Sequence, residues 1–384
     1  MILQRFCATG EEFPPHAALI VFSLRGATER HMPTYIDIFA GAGGLSEGFI
    51  RNGFVPVSHI EANADACFTL KTRAAYYYLK RTRKLPLYRR YLRGSITREQ
   101  LYAFVPKELL DQVHKVRISG WNIDGLFKAI EKNMTIAGVA NIDVLVGGPP
   151  CQPFSIVGRG ALRLKERETR ANLYRFFPKF LRRFKPKAFV FENVPGMLSI
   201  RDGAPFRKIL ESITPCGYHV EYSLLDAYKF GVLQQRKRLI IIGWQKKIIA
   251  KYPRFNSTAN GNIVGELFRD LPPLAPGDDG SKLGYSKRMA GYVKKHSLRG
   301  PGDVLTLHKA RPHNYRDRTI YRKVIEHWTK TGRRLKYRDL PPYLKTRSNE
   351  NDFLDRFKVV APDLSFSHTL LAVEVQRLVE LFVV

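Results

Sequence analysis

The feature that most constrains this chain is a set of apolar runs that do not alternate. "TYIDIF" (34–39), "NIDVLVGG" (141–148), "PKAFVFENV" (186–194) and "RLIIIGW" (238–244) are nearly continuous in Val, Ile, Leu and Phe. A strand with one wet face alternates apolar and polar residues, whereas a strand covered on both faces need not. Helical stretches such as "NLYRFFPKFLRRF" (172–184) lie between the runs. Strands alternating with helices predict a parallel α/β sheet. The pattern starts with strand, glycine turn, helix and strand: "TYIDIF", "AGAGG" (40–44), "LSEGFIRNG" (45–53) and "PVSHIEAN" (56–63).

Between residues 71 and 140 the pattern is interrupted. A crossover needs only a dozen or more residues, so 71–140 reads as a largely helical, basic insertion. Its first part, 71–98, holds ten Lys and Arg, five Tyr and no acidic residue. That composition suits nucleic acid and equally suits a solvated helical face. After Trp244 the chain turns rich in Pro, Gly, Lys, Arg and His, as in "DLPPLAPGDDG" and "LHKARPHNYRDRTIYRK". Residues 244–355 therefore read as a second, irregular and basic domain.

Charge narrows the partner. Sixty-four Lys and Arg against 34 Asp and Glu leave a formal net charge of +30. Such an excess points to a polyanion, because neutralising phosphates releases condensed counterions. No run is long and apolar enough to span a bilayer and none has the flanks of a signal peptide, so an intracellular protein without a membrane partner is expected. Four scattered cysteines, Cys7, Cys67, Cys151 and Cys216, form no C-x-x-C pair and no zinc spacing, so neither a disulfide scaffold nor a metal site is expected.

Three strand ends carry chemistry. In "DIFAGAGG" (37–44) the glycines let a backbone approach a ligand closely, and Glu61, about 20 residues on, can grip two ribose hydroxyls. The same turn could be an ordinary strand-to-helix connection. In "VLVGGPPCQPFS" (144–155) prolines stiffen the backbone on both sides of Cys151, as suits a thiol that must attack at a fixed angle. "FENVP" puts Glu192 and Asn193 at a third strand end, the edge where parallel sheets hold ligands. "QQRKR" (234–238) adds Arg236 and Arg238 at alternate positions, which share a face in extended chain.

In order, "DIFAGAGGLSEGF", "GGPPCQPFS", "FENVPG" and "QQRKR" resemble the cytosine-C5 DNA methyltransferases, over roughly 34–243. The resemblance implies a Rossmann-like S-adenosylmethionine-dependent methyltransferase domain at 34–243 and a smaller irregular target-recognition domain at 244–355. Residues 1–33 would be an N-terminal extension and 356–384 a shortened return segment. Cys151 would be the nucleophile, with Glu192, Arg236, Arg238 and Gln234 completing the catalytic group. Phe39, Gly41, Gly44, Glu61, Pro150 and Leu173 would line the S-adenosyl-L-methionine pocket.

The resemblance also implies double-stranded DNA as partner. Segment 155–170, with Ser155 and Arg159, would close over it, and His308, Lys309, Arg311 and His313 would contact it. A role in restriction-modification or defence, in the cytoplasm of a prokaryotic cell and associated with the nucleoid, would follow. The chain departs from the family in three places. Leu233 stands where proline is usual, and only Asp124 offers an acid for the adenine amino group. The chain also ends in "AVEVQRLVELFVV" without the family's Gly-Asn-Ser-Val-like segment. Three outcomes stay open: a second polypeptide completes the pocket, the N-terminal extension compensates, or the chain is weakly active. Two other functions also stay open: a catalytically impaired DNA-binding protein and an RNA cytosine methyltransferase.

Overall fold

In the computed structural model of this chain, the described residues are 32–150, 173–232, 236–248, Ala250, Tyr252, Pro253, and 267–345 apart from 286, 287, 290, 301 and 334. Cys151, Ser155, Arg159, Leu233 and Gln234 lie outside them, as do the loop 155–170, the terminal segment 356–384 and nearly all of the N-terminal extension. The chain divides into two compact units. The first comprises Met1–Leu85, Arg98–Phe230 and Arg236–Thr258, and the second Pro86–Thr97, Gly231–Gln235 and Ala259–Val384.

The first unit is built on a seven-stranded sheet in the order β3-β2-β1-β4-β5-β7-β6. Its strands are β1 (Thr34–Ile38), β2 (Val55–Glu61), β3 (Val113–Lys115), β4 (Val144–Gly147), β5 (Ala188–Asn193), β6 (Tyr218–Asp226) and β7 (Lys237–Gln245). Strands β3, β2, β1, β4 and β5 run parallel. β7 runs antiparallel to both β5 and β6, against the sequence expectation of a parallel sheet. The reason is length: only the ten residues 227–236 join β6 to β7, fewer than a parallel crossover needs.

Both faces of the sheet are covered, which is why the apolar runs are continuous. Leu145, Phe189, Phe191, Leu239 and Ile241 enter one buried cluster, and Val144, Val146, Ala188, Val190, Ile242 and Trp244 the other. Helix α1 (Gly44–Arg51) follows the glycine turn and offers Leu45, Phe49 and Ile50 to the second cluster. Helix α2 (Ala64–Arg81) is capped by Asn63, whose side chain accepts from Ala66 N, and packs on β2 and β3. On the first face lie α3 (Ile123–Ile136), α4 (Phe177–Phe184) and α5 (Ala204–Ile213), with Leu126, Ile130, Phe177, Phe180 and Ile209 inward.

The stretch 71–140 is only partly set apart from this sheet. It contains the last turns of α2, all of β3 and all of α3. Of its remainder, Pro86–Thr97 belongs to the second unit. There Arg89 Nη2 reaches Asp303 Oδ1 at 3.2 Å.

Among the described residues of that unit the longest helix is α6 (Tyr315–Thr331). Asn314 caps α6, accepting from Asp317 N at 2.8 Å, and Gly332 ends it with φ 62°. Ile320 and Val324 of α6 pack with Leu335, Leu340 and Leu344. Segments 272–280 and 308–310 are pinned by local bonds, Gly280 N to His308 O at 2.7 Å and Ala310 N to Asp278 O at 2.8 Å.

One glycine is required by packing. Gly243 of β7 pairs with Phe189 of β5, and a Cβ there would sit 2.1 Å from Phe189 Cε1. Phe189 is fully buried and has nowhere to go. Gly243→Ala is therefore expected to lower stability by about 1–3 kcal/mol, read as a lower urea midpoint with an unchanged slope. An unchanged midpoint would show that the ring can shift.

Candidate active site

The sheet order reverses between β1 and β4, the place where open α/β sheets hold ligands beyond their strand ends. Register brings the ends of four neighbouring strands together. Ile38 pairs with Ile60 on one side and with Gly147 on the other, and Gly147 pairs with Phe191. The next residues along each strand are Glu61, Phe39, Gly148 and Glu192. The fold thus gathers three of the sequence motifs, together with Glu61, at one edge.

The β1–α1 turn is strained and open. Phe39 has φ 58° and Gly41 φ 55°. For an aromatic residue a left-handed conformation costs about 1–3 kcal/mol, and such strain concentrates at ligand sites. Among the described residues nothing lies within 4 Å of where a Cβ of Gly41 or Gly44 would stand, so they leave the turn open there. Glu61 is fixed beside it by three backbone donors. Gly41 N gives to Oε2 at 2.9 Å, and Ala62 N and Asn63 N give to Oε1 at 2.8 and 2.7 Å. A carboxylate held this way keeps acceptor capacity on Oε2 for a hydroxyl. Open glycines beside a rigid carboxylate fit an adenosine-type group such as that of S-adenosylmethionine.

Beneath the turn lies a polar cluster that the sequence reading did not identify. Ser46 Oγ donates to the carboxylate of Asp37, the one charged residue inside β1. Arg73 of α2 pairs with Glu47 of α1 and passes under Gly43, where a Cβ would meet Arg73 Nε at 2.9 Å. Tyr77 Oη donates to Glu47 Oε1 at 2.6 Å and Arg51 Nε lies at 2.6 Å from the same oxygen. Burial pushes the Glu47 carboxyl up, but the Arg73 charge and the bonds from Tyr77 and Arg51 outweigh burial and leave it below its ordinary range. For Asp37, burial prevails over the Ser46 bond and raises the carboxyl to about 7. The signal available in the sequence was a lone Asp in an otherwise apolar strand.

Across the switch point, β4 is followed by Gly148, Pro149 and Pro150, the frame that precedes Cys151 in sequence. Asn193, fully buried, donates from Nδ2 to Pro149 O at 3.2 Å, while its Oδ1 accepts from Val194 N at 2.9 Å. Glu192 Oε1 lies 2.7 Å from Arg238 Nε, with both side chains about a quarter exposed. Its other oxygen stands over Gly148, 3.0 Å from where a Cβ would be. Any larger residue at 148 would therefore displace the carboxylate.

The remaining expected residues fall in several places. Pro150 and Leu173 are half-buried, and Arg236 is exposed just before β7, with its backbone N donating to Asp226 Oδ1 at 3.0 Å. Asp124 is exposed in the first turn of α3. In the second unit, His308 Nε2 bonds Pro272 O at 2.7 Å and Lys309 Nζ pairs with Asp279 Oδ2 at 2.7 Å. The hydrogen bond from Lys309, with those from Ser281, holds the Asp279 carboxyl well below the usual carboxylate range. His313 stacks edgewise on Tyr321, and Arg311 is exposed. Among the described residues no group of three His, Cys, Asp or Glu could hold a metal ion, and no helix is long and apolar enough to cross a membrane.

Residues 122–361 match the family model described as C-5 cytosine-specific DNA methylase. The chain is 36% identical over 379 residues to the Type II methyltransferase M.Bpa9945I of Bacillus paralicheniformis, covering 88% of this chain and 83% of that relative. It is 28% identical over 252 residues to the Type II methyltransferase M1.HphI of Haemophilus parahaemolyticus, covering 66% of this chain and 56% of the relative. Among solved structures, Entamoeba histolytica methyltransferase EhMeth aligns with a TM-score of 0.39 at 15% identity, over 65% of this chain and 64% of that one. These similarities give no support to a second polypeptide.

The raised Asp37 carboxyl has a measurable consequence. From about pH 4 to pH 7 the unfolded chain has lost this proton while the native state keeps it, so the group's contribution to stability falls as pH rises through that window. Asp37→Asn removes the contribution. Wild-type stability minus that of the variant is expected to decline from pH 4 to 7 and then level, in urea melts across that range. A flat difference would mean that Asp37 titrates normally.

Proposed function

This chain belongs to the C-5 cytosine-specific DNA methylases, and we propose that it methylates C5 of a cytosine turned out of a DNA duplex, through a covalent adduct with Cys151, within a restriction-modification system. S-adenosylmethionine supplies the methyl group. The observation that carries the reading is the Glu192–Arg238 pair standing over Gly148, with Asn193 fastening the Pro149 carbonyl, at the strand ends from which Cys151 departs.

Cytosine C5 is a weak nucleophile and must be activated. The Cys151 thiolate adds to C6, which places electron density on C5. A free thiol has a pKa of roughly 8.5, so the site must favour the thiolate when the base is bound. Glu192, steadied on one oxygen by Arg238, leaves the other to accept from the N4 amino group or, carrying a proton, to donate to N3, which stabilises the negative charge developing on the ring as sulfur adds. Once C5 is methylated, loss of its proton re-forms the C5–C6 double bond and expels the Cys151 sulfur. These atoms are out of reach inside a stacked duplex, so the base must leave the stack.

On the cofactor side, the Phe39–Gly44 turn and Glu61 would hold the donor's adenosine portion, with Pro150 and Leu173 as further lining residues. Net positive charge steers a polyanionic substrate, and neutralised phosphates contribute affinity that declines with salt. Arg311 and His313 remain candidate DNA contacts. Lys309 would have to exchange its Asp279 partner for a phosphate, and His308 would have to give up Pro272.

The decisive experiment is covalent trapping on mixed-sequence duplex DNA carrying 5-fluorocytosine, with S-adenosylmethionine present. Fluorine cannot leave as the proton does, so a shifted band is expected on a denaturing gel and should vanish in Cys151→Ser. A band that survives the substitution would overturn Cys151 as nucleophile, and labelling of RNA instead of duplex DNA would favour an RNA substrate. Separately, Glu61→Ala is expected to weaken S-adenosylmethionine binding about tenfold or more, the loss of hydrogen bonds to a charged group. DNA affinity should change little in the same calorimetric titrations, and equal losses in both would contradict the ribose role.

A further inference from the structure

We propose that the outward face of α6, carrying Tyr315, Arg318, Arg322 and Ile325, is the surface that lies in the major groove of the substrate duplex. The inference rests on the DNA methylase reading above and assigns to a particular helix the contact that the sequence had placed on 308–313. Those earlier positions are partly engaged already: Lys309 is ion-paired to Asp279, and His308 bonds the Pro272 carbonyl.

Spacing puts these residues on one face. In a helix with 3.6 residues per turn, positions 315, 318, 322 and 325 fall along one stripe. The opposite side is already used, since Ile320 and Val324 pack into the unit's apolar cluster. On the outward stripe Tyr315 is 79% exposed and Ile325 50%. Arg318 and Arg322 are exposed, and neither guanidinium has an ion-pair or hydrogen-bond partner among the described residues. Glu326, four residues from Arg322, borders the stripe and forms no ion pair with it.

A face that only met water would need neither an exposed tyrosine nor an exposed isoleucine beside its arginines. Charge complementarity names the occupant. From Lys309 to Lys345 the chain has twelve Lys and Arg against three Asp and Glu. The helix is firmly ended by Asn314 and Gly332, so its side chains project from a fixed axis. A B-DNA major groove is about 12 Å wide and admits one α-helix. Arginine there can bond guanine O6 and N7 in bidentate fashion or bridge to phosphates, while apolar groups meet thymine methyls.

The test uses the full chain. Affinity for mixed-sequence duplex DNA is measured by fluorescence anisotropy over a range of salt concentrations, for wild type, the double variant Arg318→Ala/Arg322→Ala, and Arg318→Lys/Arg322→Lys. Methyl transfer to duplex DNA and S-adenosylmethionine affinity are followed in parallel. The alanine variant is expected to bind DNA roughly tenfold or more weakly, with cofactor affinity and melting temperature unchanged. Its salt slope should fall by about two if both arginines meet phosphates, each worth about 0.9. Lysines that restore affinity would assign phosphate contacts, and lysines that restore the slope but relax the methylated sequence would assign base contacts.

An alanine variant that binds duplex DNA with wild-type affinity and slope, while wild type methylates that DNA, would overturn this inference alone. A wild-type protein that neither binds nor methylates duplex DNA would overturn the methylase reading with it. Loss of binding to double-stranded RNA with DNA binding retained would move the surface to another partner.

Discussion

The site depends on how closely β4 can lie beside β1. Gly147 pairs with Ile38, and a Cβ at Gly147 would come within 2.8 Å of Ile38 Cγ1 and 2.9 Å of its carbonyl oxygen. No other residue type fits at that point without moving a strand. Because the two strands meet there, the glycine turn after β1 and the Pro-Pro frame after β4 leave the sheet as neighbours at the topological switch point. Glu61 and Glu192 then flank them from β2 and β5. The chemistry proposed for Cys151 needs the base edge and the cofactor turn within one crevice, and the register supplies that proximity before any side chain is considered.

Each carboxylate at this edge is compensated locally, by a different means. Glu61 is held by backbone N–H groups, Glu192 by Arg238, Glu47 by Arg73 with Tyr77 and Arg51, and Asp37 by a bond from Ser46. Asp37 is the exception in strength, because one hydroxyl does not offset its burial and its carboxyl rises to about 7. Compensation by the protein itself matters in a molecule that receives a polyanion. Had Glu192 relied on mobile lysines, an arriving phosphate would compete for them. An arginine two residues along the adjacent antiparallel strand, fixed by the β5–β7 register, is not free to leave.

How much of this was legible in the sequence varied with the physical origin of each element. The runs at 34–39, 141–148 and 186–194 contain the strands β1, β4 and β5, and 238–244 covers all but the end residues of β7, because burial on both faces writes itself as uninterrupted hydrophobicity. β6 was missed: it is an edge strand whose residues alternate between exposed and partly covered, and Tyr222 and Leu224 face solvent. β3 has three residues, too few to show any period. The turn glycines, Glu61, Glu192 and Arg238 could be named because local chemistry demands those residue types at strand ends. The parts that Gly148, Asn193 and Arg73 play could not be read, since they come from close approach between segments 44, 44 and 26 residues apart.

The second unit shows the same limit from the other side. Its irregular segments are held by hydrogen bonds and ion pairs whose partners lie far apart in sequence, such as His308 to Pro272 and Arg89 to Asp303. No periodicity announces such pairs, and the internal partner of a histidine or lysine in a basic loop becomes visible only in the fold. Helix α6 differs because its signals are local: an Asn cap, a Gly stop and two buried aliphatic residues four apart. Those three features fix which side faces inward, and the arginines are left outside by subtraction. In a basic domain, then, the cations to weigh for phosphate are those without an internal carboxylate or carbonyl to hold, rather than those in the most basic stretch of sequence.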